Sequence, residues 1–167
     1  GNNSLEFQSA YDFIEQIKDR FREYLKDLGA YVDTFTLERD AANVYCLFFF
    51  TRNIKGYEKI IEAKWQIDKD RGKGFTLQKT PSLFSEIELS GYTQKVQAFL
   101  ESSASRTNED LYYFGLRNGF LPKHTKSVLD NLVNSGLKIE ISSLDDKQAK
   151  GYYLGDMKRR VRIRLIH

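Results

Sequence analysis

Cysteine is nearly absent from this sequence: Cys46 stands alone among 167 residues. A single cysteine cannot form an internal disulfide, so nothing in the chain calls for an oxidising compartment. It lies in the apolar run Val44-Tyr45-Cys46-Leu47-Phe48-Phe49-Phe50, where a thiol reads as a small hydrophobe rather than a nucleophile. Histidine is scarce too. His124 and His167 are the only two, neither is near Cys46, and no Cys/His/Asp cluster has metal-ligand spacing. Long apolar runs are also missing. None approaches the ~18 residues needed to cross a bilayer as a helix, and the first residues lack the apolar stretch of a secretion signal. The expectation is a cytoplasmic protein with no membrane association, metal or cofactor.

What is present suits a packed core. Hydrophobic residues make up 41% and aromatic residues 14% of the chain, with charge well mixed between them. The net charge is +3, but its sign is unevenly placed. Residues 1–100 carry 14 Lys and Arg against 15 Asp and Glu, whereas residues 101–167 carry 12 against 8. The last stretch holds Lys158, Arg159, Arg160, Arg162 and Arg164 with Asp156 as the lone acid. A polyanion would be met at this end. Solvated cations on strand faces are the plainer reading of the same residues.

The pattern predicts an α+β chain of two parts, with a composition shift around Thr80-Pro81-Ser82 between them. Residues 1–80 read as a small helix–strand–strand–helix unit. Leu5, Phe7, Tyr11, Phe13, Ile14, Ile17, Phe21, Tyr24, Leu25 and Leu28 recur at helical spacing, and Gly29 suits the left-handed residue after a helix. Tyr31 to Glu38 alternates like a half-exposed strand. Val44 to Thr51 is too apolar for a wet face and reads as a central strand. Tyr57 to Asp68 returns to helical spacing, and Arg71-Gly72-Lys73-Gly74 reads as a charged linker or turn.

Residues 86–167 read as a winged helix-turn-helix domain. Glu86 to Ser103 forms a first helix, weakened by Gly91. Thr107 and Asp110 suit the two ends of a capping box. Asn118-Gly119 closes the second helix, and Pro122 fits the first position of the third. On that third helix Thr125, Val128, Leu129, Leu132 and Val133 fall inward. Two alternating strands follow, Leu137 to Ser143 and Arg160 to Leu165, around a polar loop from Asp145 to Gly151.

In such a module the third helix can enter a nucleic-acid groove with the loop beside it. The candidate contacts are Lys123, Lys126, Ser127 and Asn131 on the helix, Lys147 and Lys150 in the loop, and Arg160, Arg162 and Arg164 on an edge strand. Lysine and arginine suit phosphates, and asparagine suits an adenine edge. Asp130, in the middle of the helix face, argues the other way. Charged residues on an edge strand also guard against aggregation without binding anything. The alternative is a protein-interaction or dimerisation module, so the partners to weigh are a nucleic acid, a partner protein or a second copy. Tyr112-Tyr113 and Tyr152-Tyr153 offer stacking faces to single-stranded bases, though adjacent residues divide between core and surface. No catalytic constellation is evident: Asp145-Asp146 lies in a polar loop without the apolar surroundings that separate carboxylate pKa values.

Two stretches carry a family resemblance. Tyr45-Cys46-Leu47-Phe48-Phe49-Phe50-Thr51-Arg52-Asn53, then Lys55-Gly56 and Glu62-Ala63-Lys64-Trp65, form the first. Lys123-His124-Thr125-Lys126, with Leu129, Leu132 and Ser135-Gly136-Leu137-Lys138-Ile139, forms the second. Together they span roughly residues 31–167, and the chain resembles the C-terminal part of three-Cys-motif partner proteins. The resemblance implies the end of a fold similar to S-adenosylmethionine-dependent methyltransferases, followed by a winged helix. This chain lacks the glycine-rich turn after a first strand that such a fold uses to approach its cofactor. The expected function is therefore a non-catalytic module of a larger methyltransferase-like protein.

Overall fold

Helix α1 (Ala10–Leu25) begins where Ser9 turns its hydroxyl onto the Asp12 N–H at 3.1 Å. That bond satisfies one of the amides a helix start leaves open. A 3-10 turn (Lys26–Leu28) ends the helix, closed by Gly29 at φ 64°. The computed structural model describes residues 9–40, 43–69, 74–76 and 84–166, so the start of this helix expected at Leu5 lies outside the described residues. The fold is α+β, with five α-helices and two three-stranded sheets among the described residues. The chain divides into two units, Gly1–Ser82 and Leu83–His167.

In the first unit β1 (Tyr31–Asp40) is the middle strand of the order β2-β1-β3. It pairs antiparallel with β2 (Asn43–Thr51) and parallel with the short β3 (Gly74–Thr76). Phe21 of α1 meets Phe48 and Phe50 edge-on, at 5.7 and 5.3 Å between ring centroids. Tyr57 of α2 (Ile54–Ile67) stacks on Tyr31 at 5.1 Å. Strand side chains alternate, and the register places Phe48 opposite Thr34 and Phe50 opposite Val32. The two helices therefore cover opposite faces of this sheet.

This arrangement reverses the two strand readings. Val32, Asp33, Thr34, Phe35 and Thr36 are all buried in β1. Among the described residues the apolar β2 is instead an edge strand, with Tyr45, Leu47 and Phe50 about half exposed. Polar residues are tolerated in the middle strand because their groups are satisfied: Asp33 accepts the Thr34 N–H at 2.8 Å and a Lys64 ammonium hydrogen at 2.7 Å. Gly74, expected in a linker, opens β3. A Cβ there would lie 2.5 Å from the Thr36 carbonyl oxygen, so only glycine lets the two strands approach.

The second unit runs α3 (Phe84–Glu101), β4 (Arg106–Thr107), α4 (Asn108–Arg117), α5 (Pro122–Asn134), β5 (Lys138–Ser143) and β6 (Val161–Ile166). Thr107 and Asp110 form the expected capping box, each side chain accepting the other's backbone N–H at 3.0 and 2.9 Å. Gly119, at φ 82°, turns the chain from α4 towards α5. The core joins Tyr92, Val96 and Leu100 of α3, Leu111 of α4, Val128, Leu129 and Leu132 of α5, and Val161 and Ile163 of β6. Val133, expected inward, is exposed. The sheet order is β4-β6-β5. Thus β6 lies between β4 and β5 rather than at an edge, although β4 pairs with it only at Arg162 and Ile163.

Candidate nucleic-acid interface

The site is built on α5. Its inner face is fixed by Thr125, Val128, Leu129 and Leu132, all buried. Helical periodicity then sends Lys123, Lys126, Ser127 and Asn131 outward, and all four are exposed. Pro122 stands at the first helical position as its fixed φ favours. His124 sits one turn in, and its Nδ1 accepts the Leu121 N–H at 3.2 Å. Burial, and then the charge of Lys123, lower the His124 pKa to about 4. The ring is therefore neutral near pH 7 and caps the helix.

The loop between β5 and β6 begins as an extension of the β5 strand. Ser142 bridges Gln148, the Ser143 N–H donates to the Lys147 carbonyl at 2.7 Å, and Ala149 donates to Ile141 at 3.0 Å. Lys147 and Lys150 are exposed around this tip. The chain then runs back alongside α5. The Asp130 charge helps raise the Tyr152 hydroxyl above its ordinary value, after burial. A Cβ on Gly155 would lie 3.7 Å from the Pro122 ring. Tyr112 is buried, whereas Tyr113, Tyr152 and Tyr153 are half-buried. Tyr152 and Tyr153 both pack against the core, so that pair does not divide between core and surface.

The nine candidate residues fall into two sets. Val161 and Ile163 are buried inward on β6, so alternation turns Arg162 and Arg164 to the opposite face of the sheet. Each meets a carboxylate there: Arg162 pairs with Asp146 at 2.8 Å and Arg164 with Glu140. Arg160 faces Glu109 at 3.5 Å. On α5, Lys126 pairs with Asp130 at 2.5 Å. Lys123, Lys147 and Lys150 have no carboxylate partner among the described residues. Lys123 thus stands uncommitted on the same outward face of α5 as Ser127 and Asn131, and Lys147 and Lys150 stand uncommitted on the loop between β5 and β6.

Sequence reasoning overlooked Asn108, which is 1% exposed and binds the loop's return through both ends of its amide. No group of three or more His, Cys, Asp or Glu among the described residues is arranged to hold a metal ion. In the first unit, burial raises the half-buried Cys46 thiol, which keeps it protonated near pH 7. No helix among the described residues is long and apolar enough to cross a membrane.

No protein-family model, curated protein or solved structure matches the chain.

Proposed function

We propose that residues 84–166 form a winged helix that holds a nucleic-acid duplex, as the non-catalytic module of a larger methyltransferase-like protein. The order of three helices and a β4-β6-β5 sheet supports the winged-helix reading. The carrying observation is the outward face of α5. It presents Lys123, Ser127 and Asn131 to solvent, and Lys147 and Lys150 are exposed on the loop between β5 and β6. In this reading α5 lies at the groove and the three lysines meet backbone phosphates, which position the protein. Ser127 and Asn131 then meet base edges.

The arginines of β6 take a different role. Surface ion pairs are weak, but each arginine lies beside a carboxylate that would itself repel a phosphate. They brace the loop and the sheet. Charge reversal separates the two sets. Lys123→Glu with Lys150→Glu lowers duplex affinity strongly, whereas Arg162→Glu with Arg164→Glu leaves it within a few-fold. The opposite order of effects contradicts the proposal.

One observation favours a second reading. The pairing of Lys126, Arg160, Arg162 and Arg164 with acids gives a surface of balanced charge, which suits protein docking. Under that reading both double variants leave nucleic-acid binding equally absent.

A further inference from the structure

Residues 150–160 carry Lys150, Lys158, Arg159 and Arg160 but form no helix or strand. Their backbone bonds are local turns, such as Asp156 N–H to the Tyr153 carbonyl at 3.1 Å and Arg159 N–H to the Asp156 carbonyl at 3.3 Å. Two backbone positions are left-handed, Tyr153 at φ 47° and Gly155 at φ 84°. Tyr152, Tyr153 and Leu154 pack against the core, but no ladder of backbone bonds fixes the course of the segment.

Asn108, the first residue of α4, supplies what the segment lacks. Its Nδ2 donates to the Tyr153 carbonyl at 2.9 Å and the Arg159 carbonyl at 3.0 Å, with the Asp156 carbonyl at 3.4 Å. Its Oδ1 accepts the Val161 N–H at 3.0 Å. The partners fix the orientation of the amide, because carbonyls can only accept and an N–H can only donate. One side chain therefore ties the end of the segment to the start of α4, next to the Thr107 capping box. Aspartate would keep the acceptor but set a carboxylate against carbonyl oxygens. Alanine would leave a buried N–H and the carbonyls unmatched.

We propose that Asn108 is a positioning residue for the phosphate contacts, holding Lys150 and Lys158 where a duplex backbone passes. This rests on the nucleic-acid reading of α5 and its loop. Lys158 is exposed, and neither lysine has a carboxylate partner among the described residues. Arg159 and Arg160 are engaged by Asp156 and Glu109, at 3.5 Å each. Asn108 itself touches no ligand. It acts by removing the freedom that two lysines on an irregular segment would otherwise lose on binding.

The test uses the full chain with Asn108→Ala and Asn108→Asp, read by amide hydrogen exchange and by duplex-binding anisotropy at two salt concentrations. Aspartate at a helix start is favoured by the helix dipole, so that variant keeps α4 while losing the amide donors. Asn108→Ala should lose exchange protection at Val161, where aspartate would keep the acceptor, and both variants should lose it across residues 150–160. The dependence of log affinity on log salt should flatten by about two units, one per phosphate contact. Lys150→Ala with Lys158→Ala should flatten it equally, and adding Asn108→Ala to that pair should change nothing more. A merely structural role would lower thermal stability and leave the salt dependence intact, which overturns the proposal. Unchanged exchange at Val161 in Asn108→Ala overturns it as well. If the unaltered chain binds no duplex, the nucleic-acid reading has failed and this proposal with it. If it binds and the Asn108 variants keep its salt dependence, only this proposal has failed.

Discussion

Asp33 and Lys64 meet at 2.7 Å with side chains only 6% and 8% exposed, joining the middle strand of the first unit to helix α2. Burial lowers the Lys64 pKa, and the neighbouring Asp33 carboxylate partly opposes that. Removing the carboxylate alone leaves a buried ammonium without its partner. Asp33→Ala should cost about 3–5 kcal/mol, measured by denaturant unfolding near pH 7. Replacing both residues with apolar ones of similar size should restore much of the loss. A cost below ~1 kcal/mol for Asp33→Ala would show that the pair is solvated.

Acid should weaken the second unit through His124. Its folded pKa of about 4 lies below the ordinary 6.5, so the unfolded chain binds the extra proton first. Stability is therefore lost as the pH falls from 6.5 towards 4. His124 is only partly buried, so the loss is on the order of 1 kcal/mol after allowance for solvent. His124→Gln should flatten the stability profile across that window. An equally steep profile in the variant would assign the sensitivity to other groups.

Two helical glycines should respond in opposite directions to alanine. At Gly91 an added Cβ meets nothing within 4 Å, so Gly91→Ala should stabilise by about 0.5–1 kcal/mol through helix propensity. At Gly115 the Cβ would lie 2.6 Å from the Thr125 hydroxyl and 3.1 Å from the Tyr92 hydroxyl. Those hydroxyls are themselves bonded at 2.5 Å. Gly115→Ala should therefore cost about 1–3 kcal/mol. Thermal unfolding of the two variants decides both values.

The edge strand β2 carries no charged residue from Asn43 to Thr51. Edge strands without charge are prone to pair with other chains. Leu47 is 47% exposed there, so Leu47→Lys should reduce light scattering at high protein concentration with little effect on stability. Unchanged scattering would place any self-association elsewhere.

Features that depend on nearby residues were legible in the sequence. The capping box needs Thr107 and Asp110 three positions apart, Pro122 marks a helix start by its own geometry, and Val161 and Ile163 alternate with arginines. Strand order was not legible, because it depends on distant partners. The polar pattern of β1 looks half-wet until Lys64, 31 residues on, neutralises Asp33. The arginines read as free until Glu109, Glu140 and Asp146 arrive from α4, β5 and the loop. Asn108 gave no signal at all, since its partners lie 45–53 residues along the chain.

Titration of a labelled duplex with the full chain at about 50 and 200 mM salt tests whether α5 and the loop between β5 and β6 meet phosphates. Lys123, Lys147 and Lys150 together predict a slope near −2.7 in log affinity against log salt, steepening to about −3.6 with Lys158, and so a loss of about forty-fold or more between the two conditions. Micromolar binding at the lower salt that collapses in this way is the expected result. No binding at the lower salt, or binding indifferent to salt, would mean that these lysines do not meet phosphates.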